Sequence, residues 1–318
     1  MLISEFSWRA IFLINLPLGL LIFLLAYRFL PVDRPRQQVD RLGFDHAGTL
    51  LLALTLAAYT LAMTIGRGSF GPRNLAQLVA TLLGVCLFLF AETRAESPLI
   101  RFTIFRNPLL ISSLIMSALV STVMMATLVV GPFYLSRTLG LNAALIGLVL
   151  SVGPLCAALT GVPAGRLADR LGPQRMTVLG LIGIAVGAFL LSVIPATLGI
   201  YGYTAPLIVI TVGYALFQTA NNTAVMTDTR PEQRGVISGL LNLSRNLGLI
   251  TGASVMGAVF AAASSTIDIT TAPPDAVAIG MRTTFAVAAV PILVALAIAV
   301  ATYRRELYGW AMAPTAES

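Results

Sequence analysis

The chain has 318 residues, 57% of them hydrophobic and only 10% charged, with a mean hydropathy of +0.90 and a formal net charge of +7. A water-soluble domain carries roughly a quarter charged residues, so there is too little charge here to build a water-facing surface. The basic residues are all arginine and lie scattered in loops between apolar blocks, which argues against nucleic acid as a partner.

A membrane-spanning helix needs roughly 17–25 mostly apolar residues, and nine blocks meet that requirement. The first is 10–30. Glu5 spoils a positively charged leader and no A-x-A cleavage site follows, so it reads as a span rather than a signal peptide. A polar stretch, 31–46, leads to spans 47–65 and 75–91, and a second polar stretch covers 92–107. Spans 109–135, 143–164, 176–194, 205–226 and 236–263 follow. An outer loop at 264–282, with Thr270, Thr271, Pro273 and Pro274, precedes the last span, 283–302. The blocks are apolar all round and show no short-period alternation, which excludes a β-barrel.

Arginine counts orient the spans. Arg28, Arg34, Arg36, Arg41, Arg94, Arg101, Arg106, Arg166, Arg170, Arg175, Arg230, Arg234, Arg304 and Arg305 fall on one side. Arg9, Arg67, Arg73, Arg137 and Arg282 fall on the other. The positive-inside rule puts the first set, and the C-terminus, in the cytoplasm of a cell whose inner or plasma membrane holds the chain. Nine spans then put the N-terminus outside, although residues 1–9 carry only Glu5 and Arg9 to hold it there. Such a start is expected of a fragment, a shortened gene or a misplaced start codon.

The strongest local signal is Gly165-Arg-Leu-Ala-Asp169-Arg170-Leu-Gly172-Pro-Gln-Arg175, a tight cytoplasmic loop between two spans. Gly165 and Gly172 permit close approach and turning. Asp169 can accept from a helix N-terminus or an arginine, and Arg170 and Arg175 can reach partners on the next helix pair. Charges of this kind can be joined in one state and parted in another, as a gate requires. By charge alone, an ordinary inside-positive loop is the better reading.

This loop resembles the signature loop of the major facilitator superfamily. Three more stretches agree with the 14-helix drug:proton antiporter branch. Ser7-Trp8-Arg9-Ala-Ile-Phe12-Leu-Ile-Asn15-Leu-Pro17-Leu-Gly19 resembles its sixth helix, and Phe133-Tyr134-Leu-Ser-Arg137-Thr-Leu-Gly140 the end of its ninth. Arg234-Gly235-Val-Ile-Ser238-Gly239-Leu-Leu-Asn242-Leu-Ser-Arg245-Asn-Leu-Gly248 resembles its thirteenth. The resemblance implies an all-α polytopic membrane fold covering family helices six to fourteen. Residues 1–30 would be the last helix of the N-terminal bundle, and 31–107 a linker with the branch's two extra helices. Residues 108–303 would be a complete C-terminal six-helix bundle, and 304–318 a cytoplasmic tail. The remaining helices would come from a longer chain or a second polypeptide.

Polar residues inside the spans are the pathway candidates. No Asp or Glu lies within the nine blocks, and Glu92 sits at a boundary. Proton coupling, which uses a buried carboxylate, would therefore rest on helices not in the chain or on loop acids. Arg245 is the one ionisable residue well inside a block. A buried arginine is costly and points to a paired role, while a late-starting helix would let it snorkel to the surface. Gln218, Asn221 and Asn222 fall on one helix face and suit either substrate binding or helix–helix hydrogen bonds. Met116, Met124 and Met125, with Ser117, Ser121 and Thr122, could line an adaptable cavity or pack a core. Gly183 with Gly187, and Gly248 with Gly252, are G-x-x-x-G pairs for close helix contact.

Cys86, Cys156 and the single His46 have no metal-site spacing, so no metal or cofactor is expected. No nucleotide-binding or hydrolase motif is present, so neither an enzyme nor an ATP-driven pump is expected. The expectation is a secondary transporter in the bilayer, exporting small amphipathic molecules against protons by alternating access. The rival is a truncated or half transporter that does not carry solutes alone.

Overall fold

The computed structural model describes residues 9–30, 45–65, 71–95, 98–227, 229–265 and 272–311. Among them every regular element is helical. Glu5, Ser7, Trp8, Arg34, Arg36, Arg41, Arg67, Thr270 and Thr271, used above, lie outside the described residues.

The chain separates into two compact units, Met1–Phe44 and Asp45–Ser318. The first contains helix α1, Arg9–Phe29, 21 residues long with Pro17 inside it. The second contains α2 (His46–Thr64), α3 (Pro72–Arg94), α4 (Pro108–Phe133), α5 (Ala143–Leu171), α6 (Pro173–Val193), α7 (Gly199–Thr227), α8 (Arg234–Ala263) and α9 (Pro274–Ala311). These eight are long and apolar enough to cross a membrane by length and composition. Helices suit that setting because each satisfies its own backbone hydrogen bonds.

Several helices outrun their apolar blocks. α5 continues past Ala164 to Leu171, α7 begins at Gly199, and α9 runs from Pro274 to Ala311. Hydropathy sees only the part that lipid would cover, whereas a helix persists wherever its backbone ladder does. The seven residues between Ala164 and Gly172 therefore form two more turns of α5, not a loop. Asn107 and Asn142 start α4 and α5 by accepting from backbone amides, Asn142 from Leu145 at 2.9 Å.

Glycine sets the helix contacts. A Cβ on Gly180 of α6 would stand 2.6 Å from the Phe217 amide of α7, and one on Gly213 of α7 2.7 Å from the Gly180 carbonyl. Gly187 fits against Pro206 and Ile210 in the same seam. Gly248 and Gly252 of α8 lie on the α4 backbone at Ala118 and Thr122, and the Thr122 hydroxyl donates to the Gly248 carbonyl at 3.1 Å. α9 packs on α4, α6 and α8, and α5 packs on α7. The α2–α3 hairpin is closed by Asn74, whose amide donates to the Ala62 carbonyl at 2.8 Å, and it meets α8 through Tyr59 and Thr251. Inside α4–α9 the core runs through Tyr134, Tyr203, Phe217, Phe260 and Phe285.

Candidate functional site

One cavity of about 250 Å³ opens between α4, α5 and α7 and reaches α8 at Leu249. Its walls are mostly apolar, with Met124, Leu150, Pro154 and Leu207, and its polar points are Thr127, Thr211 and Tyr214. It thus offers an adaptable greasy surface with a few hydroxyls to orient a solute.

Polar stripes continue from the cavity along two helices. On α7, Thr211, Tyr214, Gln218 and Asn222 follow one another at three- and four-residue steps, so they share a face. Gln218 Nε2 donates to Asn222 Oδ1 at 3.5 Å, while Gln218 Oε1 is buried without a protein partner. On α8, Ser238, Asn242 and Asn246 are exposed on one face of an apolar helix. Arg245 is half-buried beside them and its Nη2 donates to Asn242 Oδ1 at 2.9 Å. Leu249 lies one turn further on, about 6 Å along the axis, so the arginine stands next to the cavity's α8 wall.

The sequence candidates therefore divide into three sets. Gln218 and Asn222 come together, and Arg245 finds Asn242; among the described residues no hydrogen bond joins the two pairs. Asn221 turns elsewhere: it is 1% exposed and its Nδ2 donates to the Ser113 carbonyl of α4 at 3.4 Å. In the segment read as a gate, Asp169 and Arg170 are exposed on the last turn of α5. Among the described residues neither side chain has a hydrogen-bond partner. Gly172, with φ of +82°, makes the turn into α6, a left-handed backbone suited to glycine. Gly165 is inside α5 with open space where a Cβ would stand. Arg175 is tied to α9, its Nε donating to the Tyr303 hydroxyl at 3.1 Å.

Sequence reasoning missed three contributors. Tyr214 and Thr211 carry no signal of their own among apolar neighbours. Asn242 was legible, since it precedes Arg245 by the three residues that bring helix side chains together. Glu92, expected at a helix boundary, is only 2% exposed. Its Oε1 accepts the Ile100 amide at 2.5 Å, and its Oε2 is buried without a partner near Gly48, as is Asp45 Oδ2. Among the described residues no group of three or more His, Cys, Asp or Glu side chains converges.

The profile of the Major Facilitator Superfamily matches residues 1–253. The chain is 32% identical over 256 residues to "Uncharacterized transporter YebQ" of Escherichia coli, covering 80% of this chain and 56% of that protein. It is 25% identical over 260 residues to "Riboflavin transporter RibZ" of Clostridioides difficile, covering 82% and 56%. It is 24% identical over 262 residues to "Multidrug efflux pump LfrA" of Mycolicibacterium smegmatis, covering 82% and 51%. The chain spans about half the length of the curated relatives it matches.

Proposed function

Because the chain belongs to the Major Facilitator Superfamily, we propose that it forms one wall of a secondary transporter that exports small amphipathic molecules, with protons moving the opposite way. The observation that carries this reading is the continuity between the cavity at Met124, Tyr214 and Leu249 and the polar face of α8 at Asn242 and Arg245. A greasy pocket with a cationic rim suits a flat or apolar body with a polar or anionic end. Relatives named for riboflavin and for multiple drugs fit a solute of that kind.

An exposed polar stripe on a spanning helix is costly against lipid. It therefore favours a face that meets water, substrate or other helices. The opposite wall would come from further helices of the 14-helix drug:proton antiporter plan, in a longer chain or a second polypeptide. In this reading 1–30 closes the preceding bundle, 31–107 links the halves and 108–303 is the second bundle, with a tail at 304–318. The arginine bias puts the α5–α6 turn and the C-terminus in the cytoplasm of a cell whose plasma membrane holds the protein.

The two bundles would rock about the cavity in alternating access. Gly165 and Gly172 let α5 and its turn approach the other wall. Asp169 and Arg170, exposed and unengaged, would pair across the gap in one state, with Arg175 holding the turn to α9. Arg245 and Gln218, with Asn222, would meet the polar part of the solute, and Asn221 supports α7 from behind. Proton coupling would rest on loop acids or on the opposite wall.

The test is dye or drug export by the complete gene product in cells stripped of other exporters, with membrane abundance confirmed by immunoblot. The wild type should lower dye accumulation. Arg245→Ala and Asp169→Asn should abolish that effect at equal abundance. Export unchanged in Arg245→Ala would remove the pathway assignment, and export unchanged in Asp169→Asn would remove the gate.

A further inference from the structure

A second, much smaller cavity of about 20 Å³ lies one turn from the α5–α6 turn, lined by residues of α4, α6, α7 and α9. Its lining includes Ser113 and Met116 of α4, Thr177 of α6, Asn221 of α7 and Thr302 of α9. Ser113 and Asn221 are each 1% exposed, and Ser113 Oγ and Asn221 Oδ1 have no hydrogen-bond partner in the protein. Two unpartnered polar atoms from two helices thus line one small space. Buried polar groups in native proteins are paired, with protein or with ordered water.

The size of the space and the two unpartnered atoms point to the ligand; Gln174 of α6 also lines the space. A cavity holds a water when its probe-occupied volume exceeds roughly 10–15 Å³ and it offers two to four polar partners. A volume of about 20 Å³ suits one such molecule. No carboxylate lines the space, so a cation has no counter-charge there. The Thr177 and Thr302 hydroxyls already donate, to the Pro173 and Ile298 carbonyls, each at 2.9 Å, and Thr302 Oγ1 also lies 3.4 Å from Ser112 Oγ. They can therefore only accept. The Ser113 hydroxyl still has a proton to give and Asn221 Oδ1 can only accept. A ligand that accepts one hydrogen bond and donates two satisfies Ser113 Oγ, Asn221 Oδ1 and one of the two threonines.

We propose that Ser113 and Asn221 hold one ordered, buried water that joins α4 and α7 to α6 and α9 beneath the α5–α6 turn. The water accepts from the Ser113 hydroxyl and donates to Asn221 Oδ1 and to a threonine hydroxyl. Asn221 then engages α4 twice, directly through Nδ2 on the Ser113 carbonyl and through the water by Oδ1. The inference stands apart from the transport reading, because it concerns the inner side of α7 and not the cavity side.

Hydroxyl-radical footprinting on the whole protein in lipid nanodiscs tests it, because a bound water activated by a short X-ray pulse oxidises the side chain beside it. Met116 lines the cavity and is 3% exposed; Met281 is 1% exposed in the apolar core and serves as the dry reference. Met116 should be oxidised several-fold faster than Met281. In Ser113→Val, which fills the space and removes the donor, Met116 should fall to the Met281 rate. Equal protection of the two methionines in the wild type would overturn the proposal without any variant. Undiminished Met116 oxidation in a Ser113→Val protein with normal thermal unfolding would overturn Ser113 as the water's ligand.

Discussion

α5 and α6 are consecutive, joined at Gly172, and similarly apolar. Both carry glycines at several turns. Yet 44% of the α6 span is buried within the chain and only 11% of the α5 span. Gly180, Gly183 and Gly187 of α6 are pressed against α7, whereas a Cβ on Gly147, Gly161 or Gly165 of α5 would meet nothing within 4 Å. The outer face of α5 presents Leu148, Leu155, Leu159 and Val162 instead. Hydropathy and glycine content thus place a helix in a membrane without saying what it faces. Only the identity of the atoms opposite each glycine separates a packing seam from an open face.

The sharpest way to break that comparison is to fill the α6 seam. At Gly180 the obstructing atoms are the Phe217 amide and the Gly213 carbonyl, which are backbone and cannot swing aside. Gly180→Val should force α6 and α7 apart and cost about 3 kcal/mol, at the upper end of overpacking penalties. The expected readout is a strongly lowered unfolding temperature and loss of the monodisperse peak in detergent. A variant as stable as the wild type would mean that the seam is not where α6 is held.

A smaller effect tests the end of the same helix. Arg282 of α9 donates through Nε and Nη2 to the Ile194 carbonyl just past α6, at 3.2 and 3.0 Å. Hydrogen bonds from a charged donor contribute about 1.5–3 kcal/mol, so Arg282→Ala should destabilise by about 2 kcal/mol. Amide exchange should rise around residues 191–194 and stay unchanged at the Gly172 end. Uniform exchange along α6 would show that the glycine seam alone fixes it.

How far this contrast was legible in the sequence depends on the scale of the signal. Long apolar blocks gave the spanning helices, because a span must bury every side chain in lipid or protein. The pairs Gly183–Gly187 and Gly248–Gly252 were legible as contact points, since both glycines of each pair share a face. Gly180 and Gly213 were not, because their significance comes from each other across two helices. Helix ends were misjudged at Leu171 and Ala311, where the chain leaves the apolar region but stays helical. Glu92 looked like a surface boundary residue. Its burial arises because the segment near Ile100 folds back onto it, and no linear pattern encodes that. Of the pathway candidates, the periodicity grouped Gln218, Asn221 and Asn222 on one face. It could not tell that Asn221 would be claimed by the Ser113 carbonyl on a neighbouring helix.

The smallest expected effect lies on the open face. In Gly161→Ala the added methyl meets nothing within 4 Å, and alanine favours a helix interior over glycine by up to about 1 kcal/mol. The chain should therefore be as stable as the wild type or slightly more so in detergent. Export by the complete gene product adds a second readout. A loss of export without a loss of stability would mean that another helix approaches α5 closely at Gly161 during the transport cycle. Unchanged export would assign this face to lipid. A drop in stability matching Gly180→Val would abolish the distinction between the two helices, because an open face has no atoms for a methyl group to displace.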